Sequence, residues 1–302
     1  MKILITGANG MLGRALQRQL QNHTVVQHTR DHSNLANPIE YQNFYRLILG
    51  GDFDYVIHTA ALVGGLEYNN KYPYDFAIIN NIINNLVVKA CVDSEVPRFL
   101  AILSVCCYGD GFPESDYPLT EDKFYTREPH PTNAPYAYSK RQLAQLIDAV
   151  NKQYDKNYTY LTPCNLYGEE DSRGEHAHFC SIMVDKIIAH EKLDNIYFQG
   201  DGEAKRQYLF IEDFAKIIKI HLENDVKICY NVASDEELSA REMAQALLDK
   251  IGSRAVLNFR NTMVQGQSKR TVSNARFKTI HPDFKFTSFA DGIEKVYNKW
   301  YK

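Results

Sequence analysis

Tyr136 and Lys140 have side chains and a spacing that could move a proton. They are four positions apart in a segment with helical periodicity, so they would lie on one face of a helix. A phenol has an ordinary pKa of about 10, and a neighbouring ammonium group would lower that pKa by stabilising the phenolate. Ser104, at the end of the preceding predicted strand, could hydrogen-bond the same substrate oxygen. These three residues predict a proton donor for a carbonyl group that is reduced by hydride.

A glycine-rich turn near the amino terminus predicts a dinucleotide site. Three glycines at every third position join an apolar strand pattern to a helical pattern. Backbone without side chains lets a pyrophosphate approach, and the start of a helix supplies free N–H groups and the positive end of a dipole. Ala60 and Ala61 follow another predicted strand, where small residues would let the backbone pass beneath the adenosine ribose and phosphates. The predicted contacts in the turn are Gly7, Asn9, Gly10, Met11, Leu12 and Gly13.

The residues after the second predicted strand bear on the choice of cofactor. An arginine at this point accommodates the additional phosphate of NADP, whereas an acidic residue binds the ribose hydroxyls of NAD. The chain has Arg30 first and Asp31 next. We therefore favour NADP, while Asp31 leaves NAD open.

The elements that would position these residues alternate between strand and helix patterns. The strands are predicted at 2–6, 24–28, 55–58, 99–104, 158–162, 195–198 and 229–232. The helices are predicted at 11–20, 74–92, 136–153, 179–190, 212–222 and 240–250. This alternation predicts an α/β fold, a Rossmann-type doubly wound parallel sheet with a small C-terminal substrate lobe.

The predicted division into domains follows from the polar, glycine-containing segment after residue 168. We assign 1–168 to an NADP-binding Rossmann domain, completed by about 207–234, and 169–206 with 235–302 to the substrate lobe. Ligands of doubly wound folds bind at the carboxyl ends of the strands. The cleft between the two parts is therefore the expected active site.

Composition argues against several classes of partner. The net charge of the 302-residue chain is −3, with the signs interspersed, which does not favour nucleic acid or an anionic membrane surface. We find no apolar run long enough to span a bilayer, and the chain begins directly in a predicted buried strand, so no signal peptide is expected. The six cysteines show no CxxC spacing and suggest reduced thiols in a cytoplasmic protein. No metal site is predicted.

The glycine turn, Ser104, Tyr136 and Lys140 together resemble the extended short-chain dehydrogenase/reductase superfamily. The resemblance is closer to its GDP-L-fucose synthase branch, whose members are epimerase/reductases of GDP-linked 4-keto-6-deoxy sugars. The segments that carry it are 60–65, 69–73, 131–137 and 165–168.

The resemblance implies roles that the residues alone do not. Taken alone, Cys106 would be a buried thiol and His178 a loop histidine. In the family, residues at these two positions act as acid and base and invert the carbons that flank the keto carbon. The resemblance also implies that Tyr136 and Lys140 contact NADP(H), and that the helices at 74–92 and 136–153 pair across a homodimer axis. The substrate contacts that it implies are Val63, Gly64, Asn165, Lys186 and Arg206.

Departures from the family pattern fall on the substrate side. Val105 replaces a usual serine, Gly109 a proline, Lys186 an arginine and Gln199 an aromatic residue. The leading hypothesis is an NADPH-dependent epimerase/4-reductase of a GDP-linked 4-keto-6-deoxy sugar. One alternative is a 4-keto reductase without epimerisation on a related nucleotide sugar, such as a GDP-6-deoxyheptose. Another is a non-catalytic NADP-binding regulator, which the presence of both the tyrosine and the lysine disfavours.

Overall fold

The computed structural model describes residues 1–190, 192–260 and 266–301. Its strands are β1 (Lys2–Thr6), β2 (Thr24–His28), β3 (Tyr55–His58), β4 (Arg98–Ile102), β5 (Thr159–Pro163), β6 (Asn165–Tyr167), β7 (Asn195–Gln199), β8 (Lys205–Phe210), β9 (Tyr230–Val232), β10 (Glu237–Ser239), β11 (Val256–Arg260) and β12 (Lys269–Arg270). Its helices are α1 (Met11–Gln19), α2 (Tyr41–Leu49), α3 (Leu66–Lys71), α4 (Pro73–Asp93), α5 (Ala134–Tyr154), α6 (Phe179–His190), α7 (Ile211–Glu223), α8 (Ala240–Ile251), α9 (Ala275–Ile280) and α10 (Phe289–Tyr301).

A six-stranded parallel sheet forms the larger part of the fold. Its strand order is β2-β1-β3-β4-β5-β9, with the order reversing between β1 and β3. The β3 strand is buried along its whole length, as a strand covered on both faces must be. The predicted α/β, doubly wound class is confirmed. The carboxyl ends of the central strands meet at one edge, where the cofactor and proton-transfer residues follow.

Most element boundaries agree with the sequence patterns to within two residues. A capping box formed by Ser239 and Glu242 begins α8, and Gly252 ends this helix with a left-handed φ of 67°. Two differences concern the site. The β4 strand ends at Ile102, and Ser104 instead caps a short 3₁₀ helix, Val105–Cys107. Residues 165–167 were not predicted as a strand, yet they form β6 because β8 provides a partner far along the chain.

The carboxy-terminal half contains a second, smaller layer of structure. The β8 strand lies between β10 and β12 and also pairs with β6, while β7 pairs with β11. A separate cluster of buried apolar residues joins α6, α8 and α10 to these strands. The paired strands β6 and β8 carry two of the predicted substrate residues, Asn165 and Arg206.

The statement that no apolar run could span a bilayer is wrong for one helix. By length and composition α4 could cross a membrane, as could the core helix of many soluble proteins, and 44% of its most apolar window is buried. It packs against α5 and α2 within this chain and carries buried Asn80 and Asn84. Its apolar character is explained in part by the burial of Ile83, Val87 and Val88 in the main apolar cluster.

Candidate active site

The glycine turn is a cradle that side chains would fill. Gly7 has a left-handed φ of 70°, and a Cβ there would lie 2.8 Å from the backbone of Ala60. A Cβ on Gly13 would lie 2.5 Å from the carbonyl oxygen of Gly7, so the helix could not pack so close to the strand. Gly10 is exposed and precedes the first residue of α1. Gly7 and Gly13 thus fold the turn, while Gly10 keeps the start of the helix open.

The residues around this cradle fit a dinucleotide. Asn9 and Gly10 are exposed beside free N–H groups at the start of α1, which suit a pyrophosphate. Ala60 and Ala61 follow β3 after Thr59, and their small side chains leave room there. Arg30 is exposed two residues after β2, and within the described residues no hydrogen bond or ion pair holds its guanidinium. Met11 is half-buried and Leu12 buried, so Leu12 also serves the core.

Ser104, Tyr136 and Lys140 converge beyond the end of β4. The Lys140 side chain is buried, and its Nζ donates to the carbonyl oxygen of Ile102 at 2.8 Å. The same Nζ lies 5.8 Å from the centre of the Tyr136 ring. Ser104 Oγ accepts from the backbone N–H of Cys106 at 3.2 Å. The α5 helix and the turn after β4 therefore bring the predicted proton-donor residues and Cys106 to one place.

The pKa of Tyr136 differs from the sequence expectation. Burial, and then the neighbouring thiols Cys106 and Cys107, raise the pKa of Tyr136 above its usual range. Burial lowers the pKa of Lys140 to about 8. The expected lowering of the tyrosine pKa is not observed, because desolvation of the phenol dominates and Lys140 points to a carbonyl oxygen. The phenol is consequently in its protonated form at neutral pH, which is the form that donates.

Cys106 is held by a residue from the carboxy-terminal half. Nη1 of Arg270 lies 3.1 Å from Sγ of Cys106, although the two residues are 164 positions apart. Cys106 is half-buried, whereas Cys107 is fully buried with a pKa raised by burial to about 12. Of these two adjacent thiols, Cys106 is therefore the one open to chemistry.

His178 is paired with a carboxylate. Its Nδ1 lies 3.1 Å from Oδ1 of Asp171, and Ser181 donates to the other oxygen of Asp171 at 2.7 Å. Burial would lower the pKa of His178, but the hydrogen bond and the charge of Asp171 outweigh it, so the pKa is raised. The imidazole is consequently more often protonated than a free histidine at the same pH.

The segment that carries His178 is packed against α3. A Cβ on Gly65 would lie 2.3 Å from the carbonyl oxygen of Ala177, so only glycine permits this approach. The rings of Tyr68 and His176 are 4.1 Å apart, and Lys71 forms an ion pair with Glu175 at 2.6 Å. These contacts set the position of His178 relative to the residues that follow β3.

The predicted substrate residues occupy different environments. Val63 is exposed and Gly64 half-buried, in the turn that leads to α3. Asn165 donates to the carbonyl oxygen of Gln207 at 2.9 Å. Lys186 donates to the carbonyl oxygen of Tyr197 at 2.7 Å, a contact that holds α6 to β7.

Arg206 lies close to Arg270 on the adjacent strand. The two residues are register partners in the β8–β12 pair. Burial, and then the charge of Arg270, lower the pKa of Arg206 to about 10. Within the described residues, neither guanidinium forms an ion pair with a carboxylate, and Arg206 donates only to backbone carbonyls. The two side chains make this part of the cleft positive.

Sequence reasoning missed Arg270 and Asp171. Arg270 lies in a stretch with no local motif, and only the pairing of β12 with β8 brings it to Cys106. Asp171 lies seven residues before His178 in a polar, glycine-containing loop, where no helix or strand periodicity indicates which side chains meet.

The fold and the site define a nicotinamide-dependent oxidoreductase of the doubly wound class. Residues 3–233 match the NAD dependent epimerase/dehydratase family, and the chain belongs to that family.

Relatives and solved structures extend the similarity over nearly the whole chain. It is 28% identical to the GDP-L-fucose synthase of Dictyostelium discoideum over 97% of this chain and 93% of that protein. A GDP-L-fucose synthetase from Naegleria fowleri, solved bound to NADP, has a TM-score of 0.85 at 25% identity and covers 99% of this chain and 93% of its own. A GDP-6-OMe-4-keto-L-xylo-heptose reductase from C. jejuni shares the fold with a TM-score of 0.89 at 20% identity, covering 99% and 97%. The resemblance to the GDP-L-fucose synthase branch is confirmed.

Proposed function

We propose that this protein is an NADPH-dependent epimerase and 4-reductase of a GDP-linked 4-keto-6-deoxy sugar. One observation carries the proposal. The Ser104 hydroxyl, which belongs to the proton-donor set, accepts from the backbone of Cys106 at 3.2 Å. A group suited to carbonyl reduction and a group suited to carbon-bound proton exchange therefore share one short turn. A plain reductase needs only the first.

The cofactor part of the proposal rests on the cradle and Arg30. The amides at the start of α1 would hold the pyrophosphate, and Arg30 would hold the additional phosphate by charge-assisted hydrogen bonds. NADPH, when bound, supplies the hydride. Tyr136 and Lys140 would border the nicotinamide and its ribose, while Ala60 and Ala61 leave room for the adenosine part.

The proton chemistry follows from the protonation states. The Tyr136 phenol donates a proton to the carbonyl oxygen, and Ser104 hydrogen-bonds the same oxygen. The proton on a carbon next to a ketone is acidic because its removal leaves an enolate. Tyr136 and Ser104 would stabilise that enolate oxygen as preorganised donors. The buried Lys140 supplies positive charge behind the tyrosine.

Inversion of a carbon requires two further groups on different faces. We assign these roles to Cys106 and His178, which come from different segments of the chain. The pairing with Asp171 raises the pKa of His178 and favours its protonated form, which suits delivery of a proton. Cys106 would then be the base that removes the carbon-bound proton.

The nucleotide part of the substrate would lie toward the carboxy-terminal half. Arg206 is half-buried without a carboxylate partner in the described residues, as expected of a side chain that receives an anion such as a diphosphate. The relatives named above act on GDP-linked sugars by their names, which supports GDP here. We assign 1–168 with about 207–234 to the cofactor domain, and 169–206 with 235–302 to the substrate lobe.

A homodimer in the cytoplasm completes the proposal. The α4 and α5 helices pack against each other and leave Tyr74, Ile78 and Tyr138 exposed on the same side of the sheet. A second copy would cover this surface. The six cysteines are unpaired in the described residues, which suits a reducing compartment.

Deuterium exchange tests the epimerase part directly. In heavy water without NADPH, the protein should introduce deuterium beside the keto carbon of a GDP-4-keto-6-deoxy sugar. Cys106→Ser should suppress that exchange but still reduce a 4-keto sugar that needs no inversion. Absence of exchange on every 4-keto sugar that the protein reduces would leave the reductase-only alternative.

A further inference from the structure

The guanidinium of Arg270 is held at all three of its nitrogens. Nε donates to Oε1 of Gln267 at 2.7 Å, and Nη1 donates to Sγ of Cys106 at 3.1 Å. Nη2 lies 3.2 Å from the amide oxygen of Asn133 when that amide is oriented to satisfy both of its atoms. Gln267 in turn donates to the carbonyl oxygen of Gly109 at 3.2 Å. The Arg270 side chain is therefore fixed in one orientation between the two halves of the chain.

The surroundings give this cation an unusual set of acceptors. Arg270 is only 8% exposed, and within residues 1–190, 192–260 and 266–301 no carboxylate pairs with it. Its acceptors are two neutral amide oxygens and one sulfur. Buried cations are normally paired with an anion, since an unpaired buried charge is costly. The sulfur of Cys106 is the one acceptor among the three that can become an anion.

We infer that Arg270 is a positioning residue for Cys106, which aims the sulfur into the cleft and stabilises its thiolate. This inference rests on the proposed proton exchange at Cys106. When the thiolate takes a carbon-bound proton, the electron pair of the broken C–H bond passes to the enolate, and the thiol keeps its hydrogen-bonding neighbour. Arg270 thus adds, from the β12 strand, to a group of proposed proton-transfer residues that otherwise lies between Ser104 and His178.

The location of β12 explains how the arrangement is maintained. Arg270 is the register partner of Arg206 on β8, and the next segment bridges to the loop before α5 through Leu119 and Val272. A shift of this strand would withdraw the guanidinium from the sulfur. The inferred role therefore makes the reactivity of Cys106 depend on how the carboxy-terminal half packs against the main sheet.

Alkylation of Cys106 tests the inference without any sugar substrate. The full-length protein, Arg270→Met, Arg270→Lys and the control Arg276→Met would be treated with iodoacetamide from neutral to alkaline pH. Peptide mass spectrometry would follow Cys106 alone. Arg276 is a matched control because it donates to the carbonyl oxygen of another half-buried cysteine, Cys229, at 3.0 Å.

Arg270→Met should slow the alkylation of Cys106 at neutral pH by roughly tenfold, as expected when a charge-assisted hydrogen bond is lost. At higher pH the alkylation rate of Arg270→Met should recover. At neutral pH Arg270→Lys should retain part of the rate of the unchanged protein, and Arg276→Met should have the same rate as the unchanged protein. An unchanged or faster alkylation in Arg270→Met would overturn the inference. If Arg270→Met does not fold, Gln267→Leu can replace it, because this variant keeps the guanidinium but removes its Nε acceptor. Gln267→Leu should slow the alkylation of Cys106 by a smaller factor than tenfold. An unchanged rate in Gln267→Leu would also overturn the inference.

A second measurement separates this role from substrate binding. Arg270→Met should slow deuterium exchange beside the keto carbon by a clearly larger factor than it weakens the binding of GDP, measured by calorimetry. A loss of GDP affinity that matches the loss of exchange would assign Arg270 to the diphosphate and overturn the inference. If the unchanged protein exchanges no substrate proton, but alkylation still depends on Arg270, the proposed epimerase function fails and the thiolate role stands.

Discussion

Oδ1 of Asp171 lies 3.1 Å from Nδ1 of His178, and this pair raises the pKa of the imidazole. Asp171→Asn should therefore lower the pKa of His178, because the hydrogen bond remains but the negative charge is lost. We expect deuterium exchange beside the keto carbon to fall at neutral pH and to recover as the pH is lowered. A pH profile of exchange, together with NMR titration of the His178 ring, would measure the shift.

The same pair has a consequence for stability. The pKa of His178 is higher in the folded protein than its ordinary value of about 6.5, so the pair stabilises the fold fully below that pH. The contribution is lost as the pH rises through the folded-state value. The difference in melting temperature between the unchanged protein and Asp171→Asn should consequently be larger at mildly acidic than at alkaline pH. A difference independent of pH would contradict the pairing.

Tyr136→Phe should remove most of the reductase turnover. The ring can still pack against Phe76, whose centre is 6.1 Å away, but the donated proton is gone. The rate should fall by about two to four powers of ten, while NADPH binding, measured by fluorescence, persists. Tyr138→Phe is the matched control, since Tyr138 lies on the same helix with 47% of its surface exposed. Near-normal turnover in Tyr136→Phe would remove this residue from the mechanism.

Arg30→Ala should weaken NADPH far more than NADH. The exposed guanidinium two residues after β2 is free to make charge-assisted hydrogen bonds to the additional phosphate, which NADH lacks. Dissociation constants for both cofactors would be measured by titration calorimetry, with the exposed Arg254→Ala as the control. An equal loss for the two cofactors would contradict the role of Arg30.

Gly65→Ala should separate epimerisation from reduction. The new Cβ would fall 2.3 Å from the carbonyl oxygen of Ala177, so the segment that carries His178 must move. Exchange beside the keto carbon should drop, whereas reduction of a 4-keto sugar that needs no inversion should persist. Gly50→Ala, where a Cβ would be 3.3 Å from the nearest atom, is the control. Equal loss of both activities would show that Gly65 serves the whole site instead.

Ile78→Glu should weaken the proposed homodimer. Ile78 is 37% exposed on the side of α4 that a second copy would cover, and a buried carboxylate there would be costly. Sedimentation velocity should show a dimer for the unchanged protein at micromolar concentration and more monomer for Ile78→Glu. Ile39→Glu is the control, because Ile39 is 84% exposed and lies outside α4 and α5. A monomeric unchanged protein would contradict the proposal.

The sequence by itself determined the parts of this protein that depend on local patterns. The glycine turn, the helix that places Tyr136 and Lys140 four residues apart, and the order of strands and helices all follow from spacing along the chain. The resemblance then supplied Cys106 and His178. These predictions required no knowledge of distant contacts, because turn geometry and helical periodicity are set by neighbouring residues.

Only the tertiary structure decided which environment each residue receives. It brought Arg270 to Cys106 across 164 positions and paired His178 with Asp171. It also directs Lys140 to the carbonyl oxygen of Ile102. Burial raises the pKa of Tyr136, whereas the sequence argument predicted a lowered pKa. The physical reason is that desolvation and charge depend on what the fold brings into contact from distant segments, and no spacing along the chain records it.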